Sequence, residues 1–309
     1  MTMLRYGVHV PVFTDPGSLV DLGVLAERHG WDGCLLWDHV LGSREPPMPI
    51  ADPWVVLGAL AVRTERIRLG TAVTPLPRRR PEKVAREAVT VDRLSGGRMV
   101  LGVGLGSPPA VEYGAFGEPA DERVLAGVLD EALEVLAGLW SGERFSHAGR
   151  RFRVDQVTFL PRPLQRPRIP VWVACTWPHR RPLRRAARWD GVVAAWPTPD
   201  GGLERLAPDQ VAELVAEVRR HRTADGPFDV AVVNPVLPDG RDAAAYAAAG
   251  ATWYLLAGWL DDLGRQIQAG PPGRAAAARK RPASTGTSGP TGGGLTRATV
   301  PGQRERRQR

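Results

Sequence analysis

The stretch that decides the fold is Gly33-Cys34-Leu35-Leu36-Trp37-Asp38-His39. From Gly33 to Trp37 it holds small or apolar residues and no charge, which reads as a buried strand. The apolar run stops at Asp38 and His39, and a Gly/Pro-rich loop follows from Leu41 to Pro53. An acid and an imidazole at the end of a buried strand, facing a long loop, stand where barrels of parallel strands keep their chemistry. The same residues also describe a hydrogen-bonded structural histidine beside a turn-capping aspartate. What surrounds the strand has to decide.

On its N-terminal side, Arg5 to Phe13 reads as a first strand. Pro16-Gly17 turns the chain, Ser18 can cap a helix over Leu19 to His29, and Gly30 ends it. On the other side, Asp52-Pro53 opens a helix to about Val62, followed by a strand over Ile67 to Val73. Pro81 opens a helix to Leu94, and a strand follows over Arg98 to Gly104. Asp121 to Trp140 is a long amphipathic helix. Phe145 to Pro161 alternates around Gly149 and reads as an inserted β-hairpin. Strands over Pro170 to Cys175, Gly191 to Ala195, Asp229 to Val233 and Thr252 to Ala257 then alternate with helices, the last of them Leu260 to Ala269. Strand–helix alternation predicts a parallel sheet with helices outside. With the hairpin set aside there are eight strands, which predicts a closed (β/α)8 TIM barrel.

The chain has 309 residues, 43% of them hydrophobic, enough for one large barrel core. It holds no run of about 18 apolar residues, and Met1 to Tyr6 leads into a strand without a basic-then-apolar leader. A cytoplasmic location and no membrane partner are expected. Cys34 and Cys175 are the only cysteines and both fall in strands, so buried free thiols are expected. No Cys/His cluster has metal-ligand spacing, and no metal is expected. The formal charge of +8 comes almost wholly from the end of the chain: residues 275–309 carry eight basic residues and one acid. That leaves a nearly neutral body with no electrostatic footprint for nucleic acid. The segment 275–309 is rich in Ala, Arg, Gly, Ser, Thr and Pro and has no aromatic residue, so it is expected to be a disordered basic tail behind a barrel of residues 1–274.

Gly102-Val103-Gly104-Leu105-Gly106 closes the fourth strand, and glycines there can admit a ligand close to the backbone. A dinucleotide fingerprint would need a helix directly after them. Pro108-Pro109 interrupts instead, and the next expected helix waits until Asp121. The chain has no Gly-x-Ser-x-Gly elbow, which counts against a hydrolase. Asp92-Arg93-Leu94-Ser95-Gly96-Gly97-Arg98, running into this glycine stretch, resembles the bacterial luciferase-like oxidoreductases. So does Glu112-Tyr113-Gly114-Ala115-Phe116-Gly117.

The resemblance covers roughly residues 4–270. It implies a (β/α)8 barrel with reduced F420 or FMN at the C-terminal strand ends, with a slight preference for F420. Hydride or oxygen transfer to a small organic substrate is implied, and dimers are common in the family. Trp37-Asp38-His39 resembles the F420-using branch, which implies His39 as the proton carrier and Asp38 as its orienting partner or a cofactor contact. Arg68-Leu69-Gly70-Thr71-Ala72-Val73 resembles a strand that carries a cis peptide behind the cofactor ring, here Ala72–Val73. Gly104, Gly106 and Ser107 would border the ring. Ser107 stands where some F420 dehydrogenases carry a glutamate, which argues against sugar-phosphate dehydrogenation of that kind. Thr176, Trp177, Arg180 and Arg181 follow a strand and read as a phosphate site at a helix start. The alternative reading is a non-catalytic flavin-binding barrel that acts as carrier or partner protein.

Overall fold

Short β-branched and leucine-rich runs bounded by turns fold into the expected strands in the computed structural model, which describes residues 3–43, 46–198 and 202–273. The strands are β1 (Arg5–Val10), β2 (Gly33–Leu36), β3 (Arg68–Pro75), β4 (Met99–Gly104), β5 (Arg144–Ala148), β6 (Arg153–Thr158), β7 (Val171–Thr176), β8 (Gly191–Pro197), β9 (Leu203–Glu204), β10 (Asp229–Asn234) and β11 (Trp253–Ala257). Eight of them pair in parallel in the order β1, β2, β3, β4, β7, β8, β10, β11, and β11 pairs back onto β1. The result is a closed eight-stranded barrel with no free edge. β5 and β6 form the inserted antiparallel hairpin, and β9 adds two residues antiparallel to the end of β8.

The helices are α1 (Pro16–Arg28), α2 (Pro53–Arg63), α3 (Pro81–Leu94), α4 (Pro109–Glu112), α5 (Glu122–Trp140), α6 (Arg181–Ala186), α7 (Pro208–His221), α8 (Gly240–Ala249) and α9 (Leu260–Ala269). Three local expectations are corrected. α1 is capped by Asp15, whose carboxylate accepts the Ser18 N–H at 2.9 Å, so Ser18 is inside the helix. A one-turn helix, α4, and a 3-10 turn over Gly114–Phe116 come before α5. α6 begins at Arg181 with Arg180 as its cap residue, so Thr176 ends β7 and caps nothing. The tail expected over 275–309 lies outside the described residues.

Alternate residues of each barrel strand face inward or outward. The outward set, with Val8, Cys34, Leu36 and Leu101, packs under the helices against Leu57, Leu60, Val84 and Leu133. Each such side chain, fully buried, contributes about 1.5–3 kcal/mol. The inward set, with Leu35, Val100, Val193, Ala231 and Leu255, fills the barrel, and Trp172 and Trp253 meet at 5.5 Å between ring centres. The barrel is therefore a packed core, and its chemistry is confined to the mouth above that core. β3 and β4 approach closely at two glycines: a Cβ at Gly102 would stand 2.1 Å from the Thr71 carbonyl oxygen, and one at Gly70 2.0 Å from the Val100 carbonyl oxygen. The pairing shifts register between Thr71 and Thr74, around a cis Ala72–Val73 peptide. Cys34 and Cys175 are buried free thiols. No described helix is long and apolar enough to cross a membrane.

Candidate active site

The mouth is built from the residues just beyond the strands. β2 ends at Leu36, and the next three residues take different directions. Trp37 faces the mouth, where its ring lies 5.2 Å from His9 of β1. Asp38 turns away and is 2% exposed. Its carboxylate accepts hydrogen bonds from Arg78 at 2.7 Å, Arg79 at 2.9 Å, Trp54 Nε1 at 3.2 Å and Thr74 Oγ1 at 2.9 Å. His39 comes next, partly open to the mouth, and its Nδ1 lies 3.0 Å from Glu112 Oε1.

Glu112 ends α4 and is 1% exposed. It accepts the backbone N–H of Val40 at 3.0 Å and of Gly42 at 2.9 Å, and it pairs with Arg78. Burial alone would raise its pKa. The His39 hydrogen bond and the two backbone donors outweigh burial and hold it at about 2. Glu112 is thus an anion at any physiological pH, and a carboxylate beside Nδ1 fixes the proton on that nitrogen. When the ring is neutral with its proton on Nδ1, His39 Nε2 carries the lone pair. Arg78 bridges Glu112 and Asp38, so the network joins the ends of β2, β3 and β4. Asp38 contributes to it through Arg78; the carboxylate that orients His39 is Glu112.

Around His39 the mouth is aromatic. Phe13 lies 5.4 Å and Trp37 5.8 Å from its ring, and Trp259, beyond β11, packs against Phe13 at 6.0 Å and Trp37 at 6.4 Å. His9 donates from Nε2 to the Ala72 carbonyl. Burial pushes its pKa down to about 4, against the partial support of that hydrogen bond, so the ring is neutral. His9 Nδ1 and Trp37 Nε1 are buried without a hydrogen-bond partner among the described residues. Two unanswered polar atoms in an aromatic mouth, beside a bulge at Ala72–Val73, fit a flat heteroaromatic ring with a polar edge.

The expected cofactor residues fall into two groups. Ala72, Val73, Gly104, Gly106 and Ser107 come together at the tops of β3 and β4. Gly104 leaves its space to the chain itself, since a Cβ there would meet Val73 Cγ2 at 2.6 Å; it makes room for the bulge, not directly for a ligand. Gly106 turns the chain at φ +87°, and Ser107 precedes a cis proline. Thr176, Trp177, Arg180 and Arg181 lie at the end of β7. Thr176 is exposed and Trp177 is buried, with its N–H on the Ala195 carbonyl at 2.9 Å. Arg180 pairs with Glu217 of α7 at 3.2 Å, while Arg181 is exposed. Among the described residues no group of His, Cys, Asp and Glu is arranged to hold a metal ion.

Glu112, Arg78, Arg79 and His9 carry no mark of their own in a single sequence. Two signals existed: Glu112 opens the Glu-Tyr-Gly-Ala-Phe-Gly stretch, and Arg78-Arg79-Arg80 sits between two prolines where β3 gives way to α3.

Comparison with known proteins bears on the same region. The model of the family described as Luciferase-like monooxygenase matches residues 2–291. An F420-dependent glucose-6-phosphate dehydrogenase of Microbacterium testaceum is 35% identical over 201 residues, covering 62% of this chain and 57% of that protein. Four dehydrogenases of this kind are matched over only 48–62% of their length. An uncharacterised protein of Mycobacterium tuberculosis is 32% identical over 245 residues, covering 73% of this chain and 80% of that one. The coenzyme F420-dependent tetrahydromethanopterin reductase of Methanopyrus kandleri shares the fold with a TM-score of 0.68 at 17% identity, over 86% of this chain and 96% of that one. The chain belongs to the luciferase-like monooxygenase family.

Proposed function

We propose that the chain is an F420-dependent oxidoreductase that moves a hydride between the deazaflavin and a small organic substrate, with His39 as the proton carrier. FMN is the second candidate for the same seat. The observation that carries this reading is the His39–Glu112 pair at the barrel mouth: a buried anion on Nδ1 and a free Nε2 facing an aromatic wall. The four dehydrogenases named above are F420-dependent, which favours the deazaflavin.

The bulge at Ala72–Val73 and the tops of β3 and β4 would back the ring. Arg181 is the exposed cation that would meet its phosphate, because Arg180 already answers Glu217. The bound cofactor would supply the hydride acceptor or donor. His39 Nε2 takes the proton from a substrate hydroxyl, or returns it to a carbonyl oxygen. Glu112 keeps the imidazole in the tautomer that can do this, and Val40 N–H, Gly42 N–H and Arg78 keep Glu112 from swinging away. Asp38 acts at one remove, by holding Arg78 and Arg79 in place.

The test is His39→Ala. A proton carrier contributes about 10²–10⁴-fold to rate, so turnover should fall by that factor while the dissociation constant for F420 stays within about twofold. Wild-type turnover in the variant would return His39 to a structural role.

A further inference from the structure

We infer that the groove between α5 and the turn of the β5–β6 hairpin, on the outer surface of the barrel, binds a small phosphate monoester with an apolar body. Every residue of this groove lies outside the barrel mouth, and its occupancy does not depend on what the mouth holds.

Three observations lead there. The first is how the groove is built. The hairpin turn is pinned to α5 at one carboxylate. Glu131 Oε1 accepts the N–H of Phe152 at 2.7 Å and of Arg151 at 3.0 Å, and His147 Nε2 lies 3.3 Å from it. A Cβ at Gly149 would run into the same carboxylate, so glycine is what lets the turn come this close. Further along α5, Phe145 of the hairpin lies over Gly138 in the same manner. Beside these fixed points the turn and the helix leave a groove of about 300 Å³, at the small end of the range for ligand pockets.

The second is charge. Arg123 of α5 and Arg150 and Arg151 of the turn line the groove, and all three are exposed. No guanidinium among them has an ion-pair or hydrogen-bond partner among the described residues. Arg185 and Arg188, which reach α5 from α6, are by contrast both bound to Asp130. The acid in the lining is Glu131, and it is spent on the backbone of the turn. Three cations around one carboxylate leave two positive charges. A phosphate monoester carries close to two negative charges at neutral pH and presents three acceptor oxygens. Guanidinium forks grip such oxygens in pairs.

The third is the floor. Val124 and Val128 of α5 are half-buried and one helical turn apart, with Gly127 between them. A Cβ at Gly127 would meet nothing within 4 Å, so the floor is open apolar surface. A body the size of a phenyl ring can lie on the valines while its phosphate meets the arginines at the rim.

The test is a binding measurement on the purified chain. Phenyl phosphate and inorganic phosphate are titrated by calorimetry at one low salt concentration. Phenyl phosphate should saturate with a dissociation constant of about 1 mM or tighter, and inorganic phosphate should bind at least about tenfold more weakly, a difference of 1.4 kcal/mol. Gly127→Leu fills the floor from a position that meets no neighbour. It should weaken phenyl phosphate by at least about tenfold and leave Tm unchanged or raised, because glycine is a poor helix former. Arg150→Ala combined with Arg151→Ala should weaken it as much, since it removes charge and keeps the backbone N–H that Glu131 holds. Arg181→Ala, after β7, should leave the affinity within about twofold. Phenyl phosphate that fails to saturate, or binds no better than inorganic phosphate, overturns the inference. So does an affinity that ignores Gly127→Leu or the double arginine variant. An affinity that falls with Arg181→Ala places the phosphate after β7 and overturns it as well.

Discussion

At Glu112 one carboxylate, shut off from solvent, answers an imidazole, an arginine and two backbone amides. A buried ion pair adds little net stability by existing, but removing one partner leaves the others stranded. Glu112→Leu should therefore cost about 3–5 kcal/mol, the range for breaking a buried pair. It should also lower turnover, because Nδ1 loses the group that fixes its proton. A denaturant melt and a rate measurement check both, and a variant that melts like wild type would show that the loop 40–42 is held by something else. The sequence marks His39 and Asp38 because polar residues ending an apolar strand stand out. It hides their partners because Glu112 is more than 70 positions away in the chain and its role exists only once β2 and β4 are brought into one barrel. For the same reason Asp38 looks like the natural partner of His39, its neighbour in sequence. Successive residues beyond a strand point in different directions, and that separates the two.

Among the elements, β-strands and long helices are legible and short ones are not. Each barrel strand is a compact apolar run, and α5 shows a full stripe of leucines and valines over five turns. α4 has four residues, β9 has two, and neither is long enough to display a period. The glycines of β4 are legible as close approaches, but what approaches is not: Thr71 and Val73 of β3 take the room. This difference can be measured. Gly102→Ala would set a Cβ 2.1 Å from a backbone carbonyl oxygen and should destabilise by about 3 kcal/mol or more, the upper end for overpacking. Gly58→Ala, within α2, meets nothing within 4 Å and should stabilise by about 0.5–1 kcal/mol through helix propensity. In a domain of this size that is a rise in Tm of about 1–4 °C. Thermal melts of the two variants should move in opposite directions; a neutral Gly102→Ala would show that β3 can shift its bulge.

Over the whole molecule, two groups at the mouth make stability depend on pH in the same direction. His9 is held neutral to about 4 against an ordinary 6.5, so the unfolded chain binds the proton first and acid favours unfolding as pH falls from 6.5 to 4. Glu112, at about 2 against an ordinary 4.5, extends the loss from pH 4.5 downward. Above about pH 6.5 these two groups add no further slope, and below it stability should decline, by at most about 1.4 kcal/mol per pH unit for each proton. His9→Gln should remove the decline between 6.5 and 4 and leave the lower one. A wild-type melting curve that does not change between pH 7 and 4 would contradict the burial of His9. The barrel mouth is proposed as an F420 seat with a proton carrier beside it. Its most direct test is anaerobic fluorescence titration of the purified protein with reduced F420 and with reduced FMN. Saturable F420 binding is expected, with a dissociation constant of about 1 µM or tighter, near −8 kcal/mol, and FMN binding weaker by at least about tenfold. Saturation by FMN at lower concentration than F420, or by neither, would contradict it.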